Sequence, residues 1–175
     1  MGVADVSVRP ARVEDAASVA RVQLATWQAA YAEVLPSAAL DLRLEDVEAA
    51  WAQAVSRPPS PYHRVLVALD AGEVVGFAAC EPAADEDVDG RAAELSALLV
   101  EPRWGRRGHG SRLVAAAVDL WREEAVELAV TWVFESDAVV AAFLESAGWG
   151  PDTAGRTLEA DGTEVPQRRW HTSLT

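Results

Sequence analysis

The chain of 175 residues is half hydrophobic and one-quarter charged, a composition that supports one globular domain over residues 1–175 with a sizeable core. Its net charge of −13 excludes a nucleic-acid surface, which needs a basic face. The acidity has two readings, steering of a cationic partner such as an amine or plain solubility.

Val6 to Arg9 alternates and stops at Pro10, which predicts a short first strand. Val13-Glu14-Asp15 opens an Ala-rich helix whose Val19, Val22, Ala25, Trp27 and Ala30 form a broad apolar face. Leu35-Pro36-Ser37 breaks it, and a second helical stretch runs from about Leu44 to Val55. The Pro-rich segment Arg57 to Pro61 is a loop. Val65 to Leu69, the turn Asp70-Ala71-Gly72 and Val74 to Cys80 predict an antiparallel hairpin. The polar, acidic stretch from Ala83 to Arg91 is a second loop.

Ala92 to Val100 then forms an apolar strand stopped by Glu101-Pro102, and Arg112 to Ala125 a helix with Leu113, Val114, Ala117, Val118 and Trp121 on its buried face. Leu128 to Phe134 is a buried strand and Ala138 to Ser146 a helix closed near Gly148. Two weaker strands follow around Ala160-Asp161-Gly162. Strands and helices in this order pack as a mixed sheet flanked by helices, an α/β (α+β) domain.

The informative segment is Glu94 to Pro102 followed by Arg103-Trp104-Gly105-Arg106-Arg107-Gly108-His109-Gly110-Ser111-Arg112-Leu113. A strand feeds a short glycine-rich loop, and the loop opens a helix. Glycines permit close approach, and the first turn of a helix offers unpaired N–H groups at the positive end of its dipole. Together they make an anion site suited to a pyrophosphate, with Arg106 and Arg107 as charge-assisted donors. A P-loop needs Lys, which the chain lacks altogether, and a dinucleotide fingerprint needs a third glycine after Gly108 and Gly110.

The segment instead resembles the GNAT superfamily of N-acetyltransferases, in which a Gln/Arg-x-x-Gly-x-Gly/Ala loop between a central strand and a helix binds acetyl-coenzyme A. Leu98-x-Val100-x-Pro102 is similar to the end of that family's central strand, and Asp137 through Phe143 to Gly148-Trp149 to its later Asn-x-x-Ala-x-x-Phe-Tyr element. Trp27 to Tyr31 followed by Leu35-Pro36 resembles the amino-terminal helix of many bacterial members. The chain departs from the pattern at three places. Gly105 and Arg106 stand where Gln/Arg and Gly are usual, Asp137 stands for Asn, and Leu144 for a Tyr thought to protonate the departing thiolate. The chain has no Asn, Lys or Ile, residues with A/T-rich codons, so a GC-rich bacterial genome accounts for Asp137.

The resemblance implies a mostly antiparallel central sheet and acetyl-coenzyme A as co-substrate, held by Leu98, Leu99, Val100, Arg106, Arg107, Gly108, His109, Gly110, Ser111, Arg112, Asp137 and Phe143. It implies direct attack of a small-molecule or peptide amine on the thioester, with a strand N–H near Leu98 or Leu99 polarising the carbonyl. Glu94 is the candidate general base, acting through water. Alternation places it on the face of Ser96 and Leu98, and its other reading is a structural carboxylate. Trp27 and Tyr31 are candidate acceptor-side residues, with core packing as the other reading. A non-catalytic acyl-coenzyme A sensing module on the same fold is the alternative function, and an unrelated α/β phosphate-binding protein a third.

The remaining residues predict little chemistry. His109 serves through its backbone, and with His63 and His171 scattered no metal site is expected. Cys80 is a small buried hydrophobe and, being alone, supports no disulfide framework. Met1 is followed by no basic region and apolar signal core, and no apolar run is long enough to span a bilayer, so a cytoplasmic protein without a membrane partner is expected. The reading is compatible with a homodimer.

Overall fold

The computed structural model describes residues 5–88 and 91–175. The chain forms strand β1 (Val6–Pro10), helices α1 (Ala16–Ala30), α2 (Ser37–Leu40) and α3 (Leu44–Ser56), and strands β2 (Arg64–Asp70), β3 (Glu73–Pro82) and β4 (Ala92–Val100). Helix α4 (His109–Glu123), strand β5 (Leu128–Phe134), helix α5 (Ala138–Ser146) and strands β6 (Gly150–Ala160) and β7 (Thr163–Ser173) complete it. The Ala83–Arg91 loop includes Asp89 and Gly90, which lie outside the described residues.

The short helix α2 forms where the sequence marked only a break after Leu35-Pro36, and the other elements differ from expectation mainly at their ends. A 3₁₀ turn at Val13–Asp15 precedes α1, with Asp15 accepting from the Arg12 N–H at 2.7 Å and from Arg9 at 2.7 and 3.0 Å. The pairing with Arg9 holds the Asp15 carboxyl below its ordinary range, since a charged donor favours the ionised acceptor. Helix α4 starts three residues earlier than its apolar pattern, because Gly108 can act as N-cap at φ +82°. Strand β6 starts at Gly150 rather than near Arg156, since β7 pairs with it at Gly150 and Pro151 and again from Gly155 onward.

The seven strands form one sheet in the order β1-β2-β3-β4-β5-β7-β6, antiparallel except between β4 and β5. Both faces of the β2–β4 region are covered, which is why these strands are apolar on both alternations. On one face α1 and α3 supply Val19, Val22 and Trp51 to Val67, Val74 and Phe77. On the other, α4 supplies Leu113, Val114, Ala117 and Trp121, and the α5 segment Leu144 and Trp149, over Leu66, Val75, Ala78 and Leu95. Among the described residues no helix is long and apolar enough to cross a membrane.

Candidate functional site

The parallel pair β4–β5 is short. Its register covers only Ala92–Glu94 against Leu128–Val130, although the strands run on to Val100 and Phe134. Thr131 Oγ1 donates to the Leu95 carbonyl at 2.7 Å and closes the apex. Beyond it the strands part, so Leu98, Leu99 and Val100 keep β3 on one side and have no β5 ladder on the other. An unpaired strand edge of this kind accepts an extended ligand as an added strand.

At the end of β4 a 3₁₀ turn, Pro102–Trp104, leads into the loop before α4. Among the described residues the backbone N–H groups of Arg106, Arg107, Gly108, His109, Gly110 and Ser111 have no backbone or side-chain acceptor, and the first return bond is Arg112 N–H to Gly108 O at 3.0 Å. A run of consecutive unpaired donors at a helix start is an anion cradle. Arg106 lies at φ +61°, a left-handed conformation that costs an L-residue roughly 1 kcal/mol, which explains why the resembled loop has Gly at this position.

The arginine side chains divide their roles. The Arg107 guanidinium lies 4.8 Å over the Trp104 ring, and Arg112 Nη1 donates to the Arg107 carbonyl at 3.0 Å. Arg106 is exposed and makes no ion pair among the described residues. A Cβ at Gly108 would sit 3.1 Å from Arg112 Nη1, and one at Gly110 3.5 Å from Phe143, which packs against the helix start from α5. Ser111 is exposed on the first turn.

His109 was expected to act through its backbone, yet its ring is almost wholly buried. Nε2 lies 3.3 Å from Asp70 Oδ2 without hydrogen-bond alignment, and among the described residues neither ring nitrogen has a hydrogen-bond partner. Burial depresses its pKa below 6.5, and the Asp70 charge offsets this in part.

Across the gap, Tyr31 at the end of α1 meets Asp137 at the N-cap of α5. The phenol donates to Asp137 Oδ2 at 2.8 Å while Oδ1 accepts the Val140 N–H at 3.0 Å. The Tyr31 ring also packs edge-on against Phe134 at 4.9 Å. Burial first, then the neighbouring carboxylate, push ionisation of the phenol well upward. Trp27 is half-buried on α1, and Trp51 belongs to the core, donating to Gln23 at 2.7 Å. Leu144 is buried against the α4 face of the sheet and offers no proton to the gap.

The face assigned to Glu94 needs correction. Ala79 pairs with Ala97 and Cys80 with Leu95, so Ser96 is an extra residue, a β-bulge. The bulge reverses alternation. Leu95 and Leu98 both face α4, whereas Ala97 and Leu99 face α1, so Glu94 shares the α1 face with Ala97 and Leu99 rather than with Leu98. The same shift sets Glu94 directly opposite Glu81. The Glu94 pKa is raised, by burial first, then by the Glu81 charge, with Arg156 opposing and Asp85 adding.

Several polar residues of this face carried no sequence signal. Arg169, 7% exposed, is clasped by Asp87 at 2.7 and 2.6 Å and by Asp152 at 2.7 Å, with Asp85 at 3.8 Å. Arg156 stacks 4.4 Å over Trp132, and its Nε donates to Gln167 at 2.7 Å. These partners come from β5, β6, β7 and the loop after β3, and only their register brings them together.

Residues 23–149 match the Acetyltransferase (GNAT) family. The chain is 29% identical over 134 residues to the uncharacterized N-acetyltransferase YuaI of Bacillus subtilis (strain 168), covering 75% of this chain and 73% of that protein. It shares its fold with the PaiA N-acetyltransferase of Thermoplasma acidophilum, solved in complex with coenzyme A (TM-score 0.75, 17% identity, 94% and 98% of the two chains covered). The same holds for a ribosomal-protein-alanine N-acetyltransferase from Brucella melitensis (TM-score 0.75, 20% identity, 95% and 99% covered). With the family match spanning most of the sequence, the split sheet and the open helix start find their place: the chain belongs to the GNAT family of acetyltransferases.

Proposed function

We propose that the protein transfers an acetyl group from acetyl-coenzyme A to a primary amine of a small molecule or peptide, in one ternary complex in the cytoplasm. The observation that carries this reading is the run of unpaired N–H groups from Arg106 to Ser111 beside the opening between β4 and β5. Bound acetyl-coenzyme A supplies the activated thioester. The N–H cradle holds its pyrophosphate, with Arg106, Arg107 and Arg112 adding positive charge. The free edge at Leu98, Leu99 and Val100 aligns its arm, Phe143 backs the loop, and a strand N–H near Leu98 or Leu99 polarises the carbonyl.

Glu94 takes a proton from the incoming ammonium through water, so that the neutral amine nitrogen bonds to the carbonyl carbon as the C–S bond breaks, and the nitrogen then gives its second proton to water. The thiolate takes its proton from solvent, since Leu144 is buried and the Tyr31 proton is held by Asp137. Asp137 serves the site by fixing the start of α5 and the end of α1 around the gap, and Trp27 borders the acceptor side. The buried Leu144 also suits a sensing module that binds acyl-coenzyme A without turnover. Release of free thiol from acetyl-coenzyme A with a panel of amines separates the two, being amine-dependent for the enzyme and absent for the sensor.

A further inference from the structure

Two arginines face Trp132 and are used in opposite ways. Arg169 is buried and fully spent: Nη1 and Nη2 on Asp87, Nε on Asp152. Its charge is cancelled several times over. Arg156 is exposed, and only its Nε is engaged, by the buried Gln167 side chain. The guanidinium lies 4.4 Å over the indole, and this contact and the Gln167 bond hold it from two sides. Its two terminal nitrogens therefore form a fork held in place with no acceptor among the described residues.

The fork stands near the carboxylate proposed as base. Glu94 pairs with Val130, and Trp132 lies two residues further along the same face of β5, about 7 Å away by strand geometry. No ion pair joins Arg156 to Glu94. One wall of the α1-side face thus has a carboxylate group, Glu81 and Glu94 opposed across strands with Asp85 nearby, and the other a single positioned guanidinium.

From this arrangement we infer that the acceptor amine also carries a carboxylate, as an amino acid does, and that Arg156 binds it through the two terminal nitrogens while Glu94 and Glu81 face the ammonium. The inference rests on the acetyl-transfer reading above and names its substrate class. A planar fork matches a carboxylate with two parallel hydrogen bonds. A phosphate dianion fits worse, because one guanidinium cannot offset two charges beside Glu81, Glu94, Asp85 and Asp152. Arg156 is on this account a specificity-determining residue, outside the chemistry of the carbonyl.

The test is the initial rate of acetyl-coenzyme A-dependent thiol release with free amino acids and with their carboxamides, which keep the amine and lose the negative charge. Aliphatic, aromatic, acidic and basic side chains are all included. The wild-type enzyme is expected to favour acids over amides at least about tenfold in kcat/KM, the discrimination lying in KM, as a charge-assisted pair provides. In Arg156→Gln the acid-to-amide ratio is expected to fall to about one, and in Arg156→Lys, which keeps charge without the fork, to lie between. Equal use of acids and amides by the wild type, or a ratio unchanged in Arg156→Gln, overturns the inference and leaves acetyl transfer standing. Absence of thiol release with every member, while amines that lack a carboxylate still support it, overturns this inference and leaves acetyl transfer standing; absence with both panels, while coenzyme A still binds, overturns the transfer reading and this inference together.

Discussion

The Tyr31 hydroxyl donates a 2.8 Å hydrogen bond to Asp137, a residue 106 positions later, and so ties the last turn of α1 to the first turn of α5. Two residues considered separately for acceptor and cofactor thereby become one bracket across the opening between β4 and β5. Tyr31→Phe should cost about 1–2 kcal/mol in urea unfolding, the worth of a hydrogen bond to a charged group. Asp137→Ala should cost about 2–3 kcal/mol, because the cap on Val140 is lost as well. Turnover should change little in Tyr31→Phe. A loss of about a hundredfold would make the phenol a proton donor and overturn the bracket reading.

Glu94→Gln tests the base. Acetyl transfer should fall by about a hundredfold or more, with the coenzyme A dissociation constant kept within about twofold. The wild-type rate should rise with pH through a pKa above the ordinary glutamate value of 4.5, and the variant should lose that limb. An unchanged pH–rate profile would remove Glu94 from the mechanism.

The same residue makes a stability prediction of opposite sign. Its pKa is raised in the folded chain, so between the unfolded and folded values the native state holds more protons, and stability falls as pH rises through that window. Above the window Glu94 is a charge facing Glu81, and Glu94→Gln should then melt at a higher temperature than wild type. At low pH the two should converge. Thermal unfolding from pH 4 to 8 measures the divergence.

Gly108 is the N-cap of α4 at φ +82°, with Arg112 closing behind it. Gly108→Ala should cost about 1–2 kcal/mol of stability through backbone strain. Gly108→Asp should in addition lower coenzyme A affinity by about a hundredfold or more, by setting a negative charge against the phosphates. Titration calorimetry with coenzyme A decides it. Normal binding by a folded Gly108→Asp protein would show that the phosphates lie elsewhere.

His109 is buried as the neutral ring, its pKa held below 6.5. As pH falls through 6.5 the unfolded chain takes up a proton that the folded chain refuses, so folding weakens towards acid until the depressed value is passed. His109→Gln cannot titrate. Urea unfolding at pH 7.5 and at pH 5 should show wild type losing more stability than the variant between the two conditions. Parallel losses would assign the acid sensitivity to other groups.

Residues close in sequence carried the fold and the loop. The apolar periods of α1, α4 and α5, the hairpin turn and the apolar runs of β2 and β3 depend on neighbours a few positions apart, and each of these elements formed close to its expected place. The run of unpaired N–H groups was legible for the same reason, since Gly108, Gly110 and a helix start form one continuous segment. Arg106, an irregularity by pattern, occupies a left-handed position of the kind that favours glycine.

The acceptor side depended on register. One extra residue at Ser96 turns Glu94 to the other face of the sheet and sets it against Glu81, and no local pattern marks that residue as a bulge. The Tyr31–Asp137 bond, the Arg169 clasp and the Arg156–Trp132 stack join segments between 17 and 106 residues apart. By itself, then, the sequence determined the elements, their order and the unpaired backbone donors at the start of α4. Which charges meet across the open face was decided only by tertiary structure, because strand pairing sums contacts over the whole sheet and a one-residue shift in any ladder exchanges inside for outside.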